Sequence, residues 1–480
     1  MIIRVLLSLI MFMCTSSTWS MAEEDVIQID GSPPVGVRKA TRFYPLHKAI
    51  LRPEFAQARL ELPIAGELDL RQFYPFAVNA YIVSQYPHLD NPTGPGSSED
   101  RTWWIGTRAN SPNEVAMVTA NNDGISGFVF AKDGPTVFGK VKGGTSHAVY
   151  RLADLQPGMW APYSPNCGND LVTRMNQAPH PVALPEYARL TGPVIAKLAI
   201  ETDQELRARF FSDQAETDYI GTLIAAISAI YQRDTQIRLQ VAWLRLWGTQ
   251  DPWTATSTPT ALDQVQAYWR DPTHGLTTVE RASVHFISGK DLGGGIAYVG
   301  TICSLDYGFG VSAVSGAFNL AVPDLIWDPL VIAHELGHNF GSPHSHCYSP
   351  PLDQCYNRES GCYSGPVVAT HGTIMSYCHL NSGGLGNMDL LFGGTAPTIR
   401  DGADRAVCLL PDGPVSTTTT TAASSTTTMQ STTTTIWSST TTTQPSGECK
   451  KRFTPCIIRS ECCSRKCAWR SRYGSRVCVR

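Results

Sequence analysis

The run His334-Glu335-Leu336-Gly337-His338-Asn339-Phe340-Gly341-Ser342-Pro343-His344 constrains this chain more than any other stretch. It has the form H-E-x-x-H-x-x-G-x-x-H. His334 and His338 are four residues apart, so on a helix they lie on one face, one turn from each other. Two imidazoles at that spacing can hold one zinc ion. Glu335, beside the first of them, can reach a water at the metal as general base. Gly341 permits a left-handed backbone turn just past the helix, and the reversed chain can bring in His344 as a third ligand. Three protein ligands leave a fourth position open, which marks a catalytic rather than a structural zinc site. Asp328 suits an N-cap and Pro329 a first helical position. Leu330, Val331, Ile332, Ala333, Leu336 and Phe340 give the helix apolar faces to bury.

Downstream lies Gly372-Thr373-Ile374-Met375-Ser376-Tyr377. The extended histidine motif followed by such a methionine is the pattern of metzincins, and the chain resembles a metzincin zinc metalloendopeptidase. The Cys303 segment, the A-H-E-L-G-H-N-F-G run and the cysteine-rich stretch after it are similar to the reprolysin/ADAM-like branch. The resemblance covers residues 190–411. It implies an α/β metzincin catalytic domain, a mixed sheet plus an active-site helix, acting on protein or peptide substrates with one catalytic Zn2+. It implies His334, His338 and His344 as ligands, Glu335 as base and Met375 as the hydrophobic floor beneath the metal. A structural Ca2+ fits such a domain but is not readable in the residues. Two positions depart from the branch. His344 is followed by Ser345, where ADAM-type enzymes have His-Asp. Tyr377 sits two residues after the methionine, as in the astacin and serralysin branches, where that tyrosine can approach zinc. Its hydroxyl could bind zinc or donate to the oxyanion of a tetrahedral intermediate; the alternative is an aromatic packed under the turn.

The chain has 480 residues and a formal net charge of -3, which points to no nucleic-acid partner. Residues 1–22 read as a signal peptide: Arg4 precedes a short apolar run, Val5 to Met13, and small residues follow it. No other stretch approaches the length of a transmembrane helix. The expected product is secreted and extracellular.

Residues 23–189 carry no catalytic motif and read as a β-rich domain. Ala77 to Val83 and Gly127 to Phe130 are strand-like, between clusters of Gly, Pro, Asn and Asp. Trp103-Trp104-Ile105-Gly106 followed by short strands resembles reprolysin prodomains, so a propeptide is one reading and an independent binding domain the other.

Of fourteen cysteines, Cys14 leaves with the signal. Six lie in the protease region (Cys303, Cys347, Cys355, Cys362, Cys378, Cys408) and six at the C-terminus (Cys449, Cys456, Cys462, Cys463, Cys467, Cys478), even sets as in an oxidising compartment. The resemblance implies Cys303 with Cys408; the other four in the domain allow three pairings. Cys167 remains. A thiolate is a good zinc ligand, and at the open position it would silence the enzyme, similar to the cysteine switch of matrix metalloproteases and ADAMs. A buried thiol or an unforeseen disulfide is the alternative.

Residues 190–411 alternate helix and strand. Val194 to Ile200, Ile237 to Trp243, Val284 to Ile287 and Ile296 to Val299 read as strands. Ile220, Leu223, Ile224, Ile227 and Ile230 mark a helix over Thr217 to Tyr231, and Thr260 to Arg270 a second. Gly293-Gly294-Gly295 leads into a strand that, by resemblance, is a sheet edge able to pair with extended substrate; a glycine-rich turn into a buried strand is the other reading. His346, His371 and His379 are expected to serve as local hydrogen-bonding groups.

Residues 412–447 form a Thr/Ser-rich linker that cannot build a core and should be disordered or extended, typical of an O-glycosylated stalk. Residues 448–480 are too few for a core without staples. Their spacing C-x6-C-x5-C-C-x3-C-x10-C resembles a knottin, or inhibitor cystine knot, which implies Cys449–Cys463, Cys456–Cys467 and Cys462–Cys478. From Cys449 on, ten Lys/Arg against Glu461 alone give 10 − 1 = +9, enough to attract an anionic surface or polysaccharide; a merely solvated charge is the alternative. The chain thus reads as a secreted zinc endopeptidase made as a cysteine-switch zymogen. A secreted binding or toxin-like protein, with the cationic module as its active part, is the other function class.

Overall fold

The computed structural model describes residues 26–29, 40–45, 51–84, 101–122, 124–131, 134–141, 146–154, 166–168, 192–316, 327–368, 371–412, 467–470 and 475–478. The expected signal peptide, the Thr/Ser linker and Cys449, Cys456, Cys462 and Cys463 lie outside them. The chain divides into two units, 1–416 and 417–480. No helix among the described residues is long and apolar enough to cross a membrane.

The first unit holds two sheets. The first sheet has nine strands, all antiparallel: β1 (Val26–Ile29), β2 (Thr41–Pro45), β3 (Gln57–Leu62), β4 (Gly66–Phe73), β6 (Thr102–Arg108), β7 (Ser111–Asn121), β8 (Gly124–Ala131), β9 (Gly134–Lys140) and β10 (His147–Arg151). β3 alternates exposed and buried residues along its whole length, as a strand with one wet face must. The strand missing from that sheet, β5 (Phe76–Ser84), leaves after β4 and joins the other one.

The second sheet is mixed and runs β11 (Asn166–Cys167), β15 (Gly294–Ala297), β16 (Phe309–Ala313), β14 (Ser283–Ser288), β12 (Val194–Glu201), β13 (Ile237–Leu246), β5, with β17 (Leu410–Pro411) on the start of β12. β5, β13, β12, β14 and β16 are mutually parallel, whereas β15 runs antiparallel to β16. The expected strand at Ile296 to Val299 lies earlier, over Gly294–Ala297, because the glycines themselves join the ladder. Both outer strands, β5 and β11, come from the region before residue 190.

Helix α1 (Asp213–Thr235) lies between the two sheets. Ser212 caps it, accepting from the Ala215 amide, and Gln236 ends it in a left-handed conformation. It is longer than its apolar period suggests and buried all round, so Ile220, Leu223, Ile224, Ile227 and Ile230 form one core with residues of both sheets. Each such side chain contributes roughly 1.5–3 kcal/mol relative to exposure. The opposite face of the second sheet is covered by α2 (Thr258–Arg270) and an aromatic cluster that includes Trp243, Trp253 and Trp269. α3 (Trp327–Asn339) packs on α1 and on β15 and β16. It begins before Asp328, which therefore lies inside the first turn rather than capping it. The Asp328 carboxylate accepts from the Ser315 and Gly316 amides, the Ser315 hydroxyl and Tyr219. α4 (Ala396–Asp404) closes the domain, and Gly402 lies so near the end of α3 that a Cβ there would meet the Phe340 carbonyl.

In the second unit, β18 (Cys467–Arg470) and β19 (Ser475–Cys478) form an antiparallel hairpin with Cys467 opposite Cys478.

Cys303 and Cys408 are disulfide-bonded across a sequence separation of 105 residues. Constraining so long a loop limits the unfolded chain. The double substitution Cys303→Ser, Cys408→Ser should cost about 2–4 kcal/mol, read as a lower denaturation midpoint. An unchanged midpoint would show that the bond is not formed.

Candidate metal centre

α3 puts His334 and His338 one turn apart, and their Nε2 atoms approach to 3.1 Å. The helix ends at once. Gly341 takes a φ of +105° and its amide returns to the His338 carbonyl, while the Ser342 amide reaches the Gly337 carbonyl. Only glycine adopts that backbone without strain. The reversed chain delivers His344, whose Nε2 lies 3.1 Å from that of His338.

Each of the three rings is held through its other nitrogen. His334 Nδ1 lies 2.7 Å from the Ile374 carbonyl, His338 Nδ1 2.7 Å from the Ser342 carbonyl and His344 Nδ1 2.7 Å from Glu359 Oε2. Those partners only accept, so each Nδ1 carries the proton and each Nε2 offers a lone pair. The lone pair of His338 faces those of His334 and His344 at 3.1 Å each, and these contacts are not hydrogen bonds. The lone pairs repel unless a cation lies among them. Burial first, then the neighbouring imidazoles, keeps His334 well below its ordinary pKa, and the same causes lower His338 to about 3. These two rings stay neutral and available as donors.

The fourth candidate donor is Cys167. Its Sγ lies 3.5 Å from His338 Nε2 and 3.5 Å from Glu335 Oε2. The sulfur and one nitrogen of each histidine all lie within 4.8 Å of one another, and all four residues are buried. Three imidazoles and a thiol fit zinc by number and softness. Cys167 stands outside the three disulfides Cys303–Cys408, Cys347–Cys362 and Cys355–Cys378.

Cys167 arrives on β11, which pairs parallel with β15: Asn166 faces Gly294 and Cys167 faces Gly295, and the Gly168 amide donates to the Gly295 carbonyl at 2.7 Å. The Tyr377 hydroxyl donates to the Cys167 carbonyl at 2.9 Å. The Tyr377 ring, fully buried, packs against His334, His344 and His346. Gly295 also faces the helix, where an added Cβ would come within 2.3 Å of Glu335 Oε1. The strand must be bare there for the carboxylate to fit.

Met375 lies beneath the helix, fully buried, and its carbonyl accepts from the Ser345 amide and hydroxyl. Ser345 also donates to Asp353. His346 is buried and shares Glu359 Oε2 with His344, at 2.8 Å. His379 is buried among Trp327 and Tyr377, and His371 is exposed, with Asp389 3.9 Å away. Glu359 is the residue that reading the chain missed. Burial alone would raise its carboxyl, but hydrogen bonds from His344 and His346 outweigh that and hold it well below the usual range. It sits between Cys355 and Cys362 in an irregular loop, where no periodicity announces a contact; only its place inside the cysteine cluster after the third histidine hints at it.

Residues 194–387 match the family profile described as Metallo-peptidase family M12 (Reprolysin_5). This segment is similar to reprolysin-type metallopeptidases of that family. The chain is similar to Snake venom metalloproteinase H5 of Deinagkistrodon acutus, 23% identical over 272 residues, which cover 54% of this chain and 64% of the relative. It thus spans 64% of that relative's length. Among solved structures, metalloproteinase-II from Bacteroides fragilis aligns over 74% of this chain and 93% of its own at 10% identity and a TM-score of 0.36, too distant to bear on the fold.

Gly337 is the tightest point of the helix. A Cβ there would lie 2.5 Å from Met375 Sδ. Glycine to alanine inside a helix ordinarily stabilises by about 0.5–1 kcal/mol. Here overpacking against a buried side chain reverses the sign, and Gly337→Ala should destabilise by about 1–3 kcal/mol in denaturant melts. A stabilised variant would mean that Met375 has room to move.

Proposed function

We propose that this chain is a secreted zinc endopeptidase held latent by Cys167. The carrying observation is the convergence of three lone-pair nitrogens beside Glu335, with one sulfur at the fourth position. His334, His338 and His344 would hold the zinc. The ion, when bound, supplies Lewis-acid polarisation of a carbonyl and acidification of water.

The rest is work for this chain's own groups. Glu335 takes a proton from the attacking water and passes it to the leaving amine. Tyr377 donates to the Cys167 carbonyl in the latent form; once that segment leaves, the same hydroxyl can donate to the substrate oxygen that becomes negative. β15 then presents an open edge to an extended peptide. Met375 and Gly337 fit together as a dry floor, and Glu359 positions His344. The signal-like start and the paired cysteines support secretion. The Thr/Ser-rich linker would act as a stalk, and the +9 charge from Cys449 on would draw the enzyme to an anionic surface or polysaccharide.

Three versions of the full chain test the reading on an unfolded protein substrate. The wild type should be silent. Cys167→Ala should cleave without further treatment, and Cys167→Ala with Glu335→Ala should lose about 10²–10⁴ of that rate. Equal cleavage by the last two would remove Glu335 from the chemistry. Silence of zinc-loaded Cys167→Ala would remove the latch.

Glu359 is a positioning residue, so metal affinity is the readout that isolates it. Glu359→Ala should weaken zinc binding by about 10–100-fold in competition with a chelator. An unchanged affinity with a normal melt would leave Glu359 a loop residue only.

A further inference from the structure

We propose that the N-terminal sheet is a permanent partner of the protease domain: after a cut beyond Gly168, residues 51–154 stay docked on α1 and β13, and the latch, then joined to them alone, can lift from β15 without their leaving. The inference goes beyond latency, and its physical basis does not depend on the metal.

One side of α1 belongs to the N-terminal sheet. Arg101 pairs with Asp218 at 2.9 Å, Trp103 Nε1 donates to Thr222 at 3.1 Å, and Arg71 donates to Gln232 at 2.7 Å. The Arg233 guanidinium stacks over Phe130, 5.2 Å from the ring centre. Asp218, Thr222, Ala225, Ala229 and Gln232 recur at three- and four-residue spacing, with Arg233 four past Ala229, one continuous stripe along the helix. The neck of that stripe is Gly221, where a Cβ would lie 2.8 Å from the Trp103 ring and 3.0 Å from Phe76. Ala225 and Ala229, likewise small, are buried. The opposite side of the helix serves the protease: Tyr219 donates to Asp328 and Tyr231 to the Ala333 carbonyl, both on α3.

The second attachment is a ladder. β5 pairs parallel with β13 from Trp243–Tyr81 to Leu246–Ser84, and the Val241 amide donates to the Pro75 carbonyl at 2.7 Å. Without β5, the ten-residue β13 becomes a bare sheet edge. Long bare edges recruit other strands. Departure of the N-terminal sheet would therefore expose both that edge and the helix stripe, including Trp103 and Phe76 on the departing side. A piece meant to be shed is not expected to complete the core of the piece it leaves. β11, in contrast, holds β15 through two residues only.

The test uses the full chain with a site-specific protease sequence substituted within residues 176–184. After complete cutting, verified under denaturing conditions, the two fragments are run on gel filtration at sub-micromolar concentration. The expected result is one peak with both fragments at 1:1, and Trp103→Ala should raise their dissociation rate about tenfold or more. Separation into two peaks would overturn the inference, whether the catalytic fragment stays folded or precipitates. Activity is scored in parallel on cut wild type and on cut Cys167→Ala. If neither is active yet the fragments co-elute, the catalytic reading fails and the docking inference stands; active but separated fragments give the reverse.

Discussion

Three imidazole lone pairs aimed at one point are an electrostatic liability, and much of the domain exists to hold them there. Neutral rings free to rotate would turn their nitrogens apart or towards water. Each is prevented by one strong acceptor on its far side: two backbone carbonyls and one carboxylate. The carbonyls come from the turn after α3 and from the Met375 loop, so the backbone path of both segments is part of the site. Fixed acceptors on Nδ1 select the tautomer and raise the basicity of Nε2, which is the usual office of groups behind a metal.

The helix carrying two of these rings must itself be immobile. Asn339, at its end, accepts from Ser283 and donates to the Tyr298 and Phe309 carbonyls, tying the helix to the sheet. The amides of Gly300 and Ile302 take up the last helical carbonyls of His338 and Asn339. These bonds satisfy groups that a helix terminus leaves bare. They also fix the distance from α3 to β15, and with it the gap in which Glu335 lies against Gly295.

Sequence reading reached the parts of this arrangement that depend on neighbours in the chain. The four-residue spacing of His334 and His338, the turn at Gly341 and the alternation of Ile237, Leu239 and Val241 are local patterns, and periodicity exposes them. Ala77 to Val83 also read as a strand, but not which sheet it enters; strand membership is decided by the short Tyr74-Pro75 link and by the free edge of β13. The apolar period of α1 marked one face. Its second face, of Gly221, Ala225 and Ala229, carries small buried residues, and the neighbours of Gly221, Trp103 and Phe76, lie more than a hundred positions upstream. Glu359 was illegible for a similar reason. A lone acid in a disulfide-rich loop has no signature until the fold places it behind His344.

The second sheet joins these two scales. It is terminated at both ends by strands from the region before residue 190, β5 on β13 and β11 on β15. The two contacts differ in strength because they differ in length and in what lies behind them. β5 brings with it the whole core shared with α1. β11 brings two ladder residues, one sulfur and one hydrogen bond from Tyr377. A device of this kind can release its short end without surrendering its long one. The same asymmetry bears on folding, since α1 cannot be covered on both sides until the N-terminal sheet has formed. On that view the region ahead of the protease serves the fold through β5 and α1 and restrains the site through Cys167, and only the second of those duties needs to end for the site to open.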